Sequence, residues 1–398
     1  MSRPLWTLFA AQALLVSGIS LSFPFFALYF HRVRGVPMAW TGAALAVNVL
    51  VGALAHVVGG EVSDILGRQR VMRWSLILRA VTVAALAWAV WKEAPIPILL
   101  LLLFASGFVG HLFDPAARGW IADRCPAHER GRAYSLLRIA VNAGWAVGPA
   151  VGGALAQTSY ALMFLATAAA SGACAALVAA GIEDAPGLRP RDVFAWRGML
   201  AAGRDARFLR VSGLSLLVGV VMSQFIVSLS VHSTEFVGLT EGQVGWLFSL
   251  NGVLVVLLQY PATSWTGRRP ITTAIAAGSL IYAVGYTLVG AAGGLAAMLG
   301  AMMVITLGEI VVAPGMQSLW ANLAPAPMRG RYVGFGGLAY QIGSAMGPLL
   351  GGLGLQHLSP RYPAAPWLGV AGVAVATGAG FLMLSHALTP EEQGLVPE

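Results

Sequence analysis

The sequence predicts an all-α membrane protein of twelve transmembrane helices in two related six-helix bundles, and three observations predict it. Of 398 residues, 58% are hydrophobic and only 10% charged, against roughly 25% charged in an ordinary soluble domain. Apolar runs long enough to cross roughly 30 Å of hydrocarbon, at about 1.5 Å per helical residue, can be marked off along the whole chain. The two halves also align on each other at a fixed offset of 199 residues.

Taken in order, the runs predict spans at Leu5–Phe30, Trp40–Gly60, Val71–Trp91, Ile98–Ala122, Ala133–Gln157 and Tyr160–Ile182. The second half predicts Phe208–His232, Val244–Ser264, Ile271–Gly290, Leu295–Leu319, Tyr332–His357 and Pro366–Ala387. The first run lacks the short apolar core and small-residue cleavage site of a removable signal peptide, so it reads as a retained span. The domains expected are an N-terminal bundle over 1–182, a linker over 183–207 and a C-terminal bundle over 208–398. Phe194, Trp196, Met199 and Leu200 are set among arginines in and beside the linker, which predicts a short amphipathic helix lying on an anionic leaflet.

Charge placement orients the bundle. Seventeen arginines fall in loops on the side of both termini, against Arg32, Arg34, Lys92 and Arg361 on the other. Lys and Arg in short loops stay with the cytoplasmic face, so both termini are expected in the cytoplasm of a multi-pass cell (inner) membrane protein. The net charge of +8 is then topology, and nucleic acid is not expected as a partner. Cys125 and Cys174 form no CxxC pair or metal-ligand cluster, so no disulfide, metal or cofactor is expected.

The repeat is dense from residue 115 to 157, where 15 of 43 positions are identical to those 199 residues later. Arg130-Gly131-Arg132 falls on Arg329-Gly330-Arg331, and Gly144, Gly148, Pro149, Gly152 and Gly153 fall on Gly343, Gly347, Pro348, Gly351 and Gly352. Glycine at every fourth position gives a helix a flat stripe for close packing, and the Gly-Pro step loosens its backbone. An even number of spans in each half gives both the same orientation. Their pseudo-twofold then lies along the membrane normal, with a substrate site expected near the midplane.

These motifs resemble those of the major facilitator superfamily, and the resemblance covers the whole chain. The loop "GGEVSDILGRQR" matches the family's signature at Gly60, Asp64, Gly67, Arg68 and Arg70, with Ile65 where a basic residue is usual. The second-half loop keeps Gly267, Arg268 and Arg269 but has Ser264 in place of the acid. The glycine pattern in span 5 resembles the antiporter motif of proton-coupled exporters, departing from it at Ser135. The stretch from Phe113 to Arg138 is similar to drug-exporting proton antiporters. That resemblance implies a proton-driven exporter of amphipathic drug-like molecules working by alternating access. The alternative is an uptake or exchange carrier for a polar metabolite or lipid.

A carboxylate deep in a span costs several kcal/mol unless paired, protonated or hydrated. Asp114 and Glu309 are the two interior ones, and Glu309 maps onto Gly110, one turn before Asp114. Arg118 lies one turn beyond Asp114 and can pair with it at i,i+4. Glu309 has Gln317 at the equivalent place, which makes it the first candidate for reversible protonation and Asp114 the second. Arg79 and Arg138 also lie inside spans, and Glu235 is expected at an outer mouth. Asn142, Gln224, Phe225, Asn251 and Gln341 are candidates for a substrate cavity, since buried amides need partners. HExxH, GxSxG and GxxxxGK[ST] are all absent, so zinc hydrolysis, serine acyl transfer and ATP-driven pumping lack their residues. The chain is expected to be a monomer, with protons, a small molecule and the bilayer as its partners, and not to be an enzyme.

Overall fold

The computed structural model describes residues 3–183, 205–267, 269–325 and 329–395 and is helical, with no strand among them. The amphipathic helix expected in the linker falls on 184–204, outside the described residues. Among these residues twelve helices follow in order: α1 Arg3–Val33, α2 Met38–Leu66, α3 Arg68–Trp91, α4 Ile96–Arg124, α5 Ala127–Thr158 and α6 Tyr160–Gly181, then α7 Ala206–Glu235, α8 Glu241–Thr266, α9 Ile271–Ala291, α10 Leu295–Asn322, α11 Arg329–His357 and α12 Ala365–Ser385. Eleven are long and apolar enough to cross a membrane. The other, α11, has 29 residues, so it has the length, and its glycine-rich sequence dilutes its apolar content.

Helix ends carry local signals. Ser159 caps α6 by accepting from Leu162 N–H at 3.4 Å, and Asp205 caps α7 by accepting from Arg207 and Phe208 N–H at 2.9 and 3.2 Å. Thr240 and Gln243 form a reciprocal capping box at the start of α8, satisfying two donors that the first turn leaves unpaired. Between α2 and α3 the chain turns at Gly67 with φ of 98°, a conformation that penalises a Cβ.

Several helices are interrupted or carry proline inside them. α4 is interrupted at Leu112, three residues before Pro115, dividing it into Ile96–His111 and Phe113–Arg124. α7 is divided into Ala206–Ser223 and Val227–Glu235 around Gln224. Pro149 lies inside α5, and the N–H of the next residue, Ala150, donates to Ser249 Oγ on α8 at 3.1 Å. An inserted side chain thus satisfies a backbone donor beside the irregularity.

The chain forms two compact units. The first comprises α1 as far as Tyr29, Val47 onward to the end of α6, and Thr240–Val253 of α8; the second comprises Phe30–Ala46, α7 onward to Leu239, and the chain from Leu254. The units thus follow the two halves of the sequence except for the last turn of α1 with the first part of α2, and the first part of α8. Glycines explain both exchanges. In the first unit Gly245 of α8 lies under the Pro149 carbonyl and Gly252 against Ala146 N, both on α5. In the second, Gly42 of α2 lies under the Pro348 carbonyl of α11, and Gly352 faces Met38 O.

Each unit contains the same backbone-on-backbone contact. A Cβ at Gly144 would lie 2.7 Å from Val16 Cβ; at Gly148 it would strike Ser20 Oγ, and at Gly152 the Leu21 carbonyl, all on α1. In the second unit a Cβ at Gly343 would strike the Leu216 carbonyl, at Gly347 the Ser223 hydroxyl, and at Gly351 the Ser228 hydroxyl, all on α7. Ser20 Oγ also donates to Gly144 O at 3.1 Å, and Gln224 Nε2 donates to Gly347 O at 2.9 Å.

Candidate functional site

The signature loop is built around one guanidinium. Arg68, at the start of α3, ion-pairs with Asp64, donates from Nε to Asp123 Oδ2 at 3.2 Å, and donates from Nη1 to Ser63 Oγ at 2.6 Å. A Cβ at Gly119 would run into the same guanidinium, so α4 presents a bare backbone there. The end of α2 is thereby tied to the end of α4 by one guanidinium shared between two carboxylates, each contact a charge-assisted hydrogen bond. Asp123 was not singled out from the sequence; a glycine one turn before an acid, Gly119 then Asp123, was the available signal. Arg70 is exposed, and Gly60 has open space where a Cβ would stand, so packing does not demand glycine at that position.

Deeper in the first unit the expected i,i+4 pair forms, with Arg118 Nε donating to Asp114 Oδ2 at 2.7 Å. Asp114 begins the second segment of α4, directly after the Leu112 break. Arg79 of α3 is buried at 7% exposure; Nη1 approaches Ser106 O at 3.5 Å, and Nε has no hydrogen-bond partner among the described residues. Its guanidinium fills the space left by Gly110.

In the second unit Glu309 on α10 is partly buried. Its carboxylate is within electrostatic range of Tyr282 and Tyr286 on α9 and of Tyr340 on α11. Tyr282 and Tyr286 stack at 5.9 Å between ring centroids, and Tyr286 stacks in turn on Trp367 at 5.8 Å. Tyr286 O–H donates to the Val221 carbonyl at 2.6 Å, while Tyr282 O–H is buried with no partner among the described residues. Tyr286 was not anticipated; its position one turn after Tyr282 was the readable signal.

The five candidate cavity residues separate by environment. Gln224 lies at the α7 break, 1% exposed, donating to Gly347 O and accepting from Ser228 Oγ at 2.8 Å. Its amide need is thus met by the fold, although with Ser228 it borders a cavity of about 250 Å³ between α7, α11 and α12 whose wall is mostly apolar, with Val220, Leu355 and Trp367 in it. Phe225 and Asn251 are buried. Asn142 and Gln341, related by the 199-residue offset, are both partly buried, and neither amide has a hydrogen-bond partner among the described residues. Glu235, at the end of α7, accepts from or pairs with His31 Nε2 at 3.1 Å, and His31 Nδ1 donates to Val36 O at 2.7 Å.

No cluster of three metal-ligating side chains occurs among the described residues. Cys125 and Cys174 are unbonded to each other, both buried. At Cys125, in the turn between α4 and α5, burial pushes the thiol pKa up, so the thiolate needed for redox chemistry is disfavoured.

The family model of the Major Facilitator Superfamily matches residues 8–348 and 211–397. The multidrug resistance protein MdtH of Klebsiella pneumoniae subsp. pneumoniae is 28% identical over 397 residues, which cover 95% of this chain and 92% of that protein. MdtH of Cronobacter sakazakii is 30% identical over 382 residues, covering 93% and 90%. Among solved structures, the nucleoside transporter NupG superposes with a TM-score of 0.83 at 13% identity, covering 96% of this chain and 99% of that one. The POT family transporter PepTSo gives 0.78 at 14%, covering 97% and 98%. At such identity these two show the fold alone. With apolar helices throughout, a signature loop closed on Arg68 and a family match running almost end to end, the chain is a multi-pass membrane transporter belonging to the Major Facilitator Superfamily.

Proposed function

We propose that this transporter exports amphipathic, drug-like molecules by alternating access in exchange for protons, as a monomer with both termini in the cytoplasm. The observation that carries the reading is Glu309, a carboxylate inside a span, partly buried and set among three tyrosines. A carboxylate in hydrocarbon is rare outside ion and substrate pathways. Aromatic faces suit an apolar cation, and the carboxylate can be neutralised by that cation or by a proton but not comfortably by both. Exchange then follows from shared electrostatic balance. The names of the MdtH relatives support drug-like cargo.

The signature loop acts in this scheme as a gate at the cytoplasmic face, with Arg68 clamped by Asp64 and Asp123. The Gly144–Gly153 stretch acts as packing and hinge. Asn142 and Gln341 are the amides best placed to be answered by cargo.

The test is uptake of a fluorescent drug into inverted vesicles with and without a pH gradient. Gradient-driven uptake that Glu309→Gln abolishes, with drug binding retained, is the expected result. Equal uptake without a gradient would sink proton coupling. A rival reading, uptake or exchange of a polar metabolite or lipid, draws on Arg79, a buried cation suited to an anionic group. Anion-dependent flux lost in Arg79→Gln would favour it.

A further inference from the structure

Glycines bring α2 and α4 unusually close within the first unit. A Cβ at Gly52 would stand 3.0 to 3.2 Å from the ring atoms of His111, and one at Gly59 would stand 2.9 Å from Leu112 Cα. Between these two contacts lie His56 of α2 and His111 of α4, whose rings meet edge to face at 5.2 Å between centroids. Two imidazoles in contact inside apolar spans are not explained by packing, which any ring would satisfy. Neither took part in the gate or in the carboxylate sites described above.

The chemistry of the pair is fixed by one hydrogen bond. His111 Nδ1 lies 2.7 Å from Gly107 O, and a carbonyl can only accept, so Nδ1 carries a proton and the neutral ring keeps its lone pair on Nε2. His56 is partly buried and has no hydrogen-bond partner among the described residues. Three charged groups face the pair among those residues: Asp114 and Arg118 from the second segment of α4, and Arg79 from α3. Asp114 is the only one that can balance an imidazolium, and Arg118, 58% exposed, holds it. Arg79 is buried, without a carboxylate partner among the described residues, and opposes any further positive charge.

We propose that the His56–His111 pair is a proton-carrying station of the transport cycle, with Asp114 as its counter-ion and Arg79 as the fixed charge that drives release. The proton enters on the Nε2 lone pair of His111 or on His56 when Arg118 turns away and leaves Asp114 uncompensated. It departs to water when Arg118 returns to Asp114 and Arg79 is left facing an imidazolium; the Nδ1 proton of His111 stays on Gly107 throughout. Asp114 serves as a positioning charge and does not itself carry the proton. The inference rests on the proton-coupled reading and adds a second station, separate from Glu309.

The experiment uses the full-length chain in proteoliposomes, with tetraphenylphosphonium efflux measured against pH. A wild-type profile with a proton-dependent limb is expected. His56→Gln combined with His111→Asn should remove that limb; Asn keeps a donor where Nδ1 stands, so folding is preserved and is checked by membrane yield and thermal unfolding. Arg79→Gln should move the limb to higher pH, because removing a positive charge favours the imidazolium. Glu309→Gln should lower flux without shifting the limb. An unchanged profile in the double variant, with gradient-driven transport intact, would overturn the histidine station while sparing the coupled reading. Wild-type efflux indifferent to the gradient would overturn both. If the double variant fails to fold, the Arg79→Gln shift decides alone: no shift, or a shift to lower pH, overturns the proposal.

Discussion

Gly110 and Glu309 occupy equivalent places in the two sequence halves, and the two units use that place in opposite ways. In the first unit the glycine makes room for the guanidinium of Arg79. In the second unit a carboxylate stands there among tyrosines. The surrounding backbone contacts did not diverge: Gly144, Gly148 and Gly152 seat on α1 as Gly343, Gly347 and Gly351 seat on α7. A repeat can hold its helix-to-helix spacing while a single buried charge changes sign, because spacing is set by the absence of Cβ atoms and charge by one side chain on a different face.

The comparison can be broken most forcefully at the shared part. Gly148→Leu and Gly347→Leu each drive a branched side chain into the facing helix, so both should cost more than the ~1–3 kcal/mol usual for overpacking. Neither variant is expected to reach normal membrane abundance, as read by quantitative immunoblot. If one unit tolerates leucine and the other does not, the equivalence of the two contacts is wrong.

Glu309→Gln and Arg79→Gln probe the part that diverged. The first should reduce gradient-driven efflux by tenfold or more, about 1.4 kcal/mol of coupling, at normal abundance. The second should leave a folded protein with altered pH dependence. Identical phenotypes would erase the distinction drawn between the units.

Smaller effects are expected at the ends of helices. Asp123→Asn should impair transport nearly as much as Asp64→Asn, since both carboxylates hold Arg68; full activity in Asp123→Asn would reduce the clamp to its i,i+4 half. His31→Ala and Glu235→Gln remove a half-exposed pair, worth about 0.2–1 kcal/mol, so turnover should change by no more than about fivefold in either direction. Both variants should give the same change, and unequal changes would show that the two side chains do not act as a pair.

Much of this architecture was legible in the sequence because helices and close packing have local signatures. The spacing of glycines around Pro149 announced a stripe, and Asp114 with Arg118 announced an i,i+4 pair, and the structure contains both arrangements. Span ends were less legible. Hydropathy marked Trp40–Gly60, whereas α2 runs Met38–Leu66, because a helix continues past the apolar stretch into polar residues whose backbone bonds it still satisfies. Which helix each face would meet was not legible. Arg68 meets Asp123 across 55 residues, and His56 meets His111 across the same interval, and nothing in the spacing of either helix identifies the face its neighbour will present. Gln224 shows how a buried amide's need can be met internally: Gly347 and Ser228 answer its amide within the fold, while the residue still borders a cavity.

One contact near the end of the chain bears on synthesis. Gln393 accepts from Thr272 Oγ1 at 2.5 Å, and its carbonyl accepts from Ile271 N–H at 3.1 Å, so the opening turn of α9 is capped by residues 121 positions downstream. At about 5–20 residues per second, a ribosome takes roughly 6–24 s to cover that interval. Throughout it α9 must be held by the insertion machinery, by lipid headgroups or by water alone, since its own cap has not yet been made.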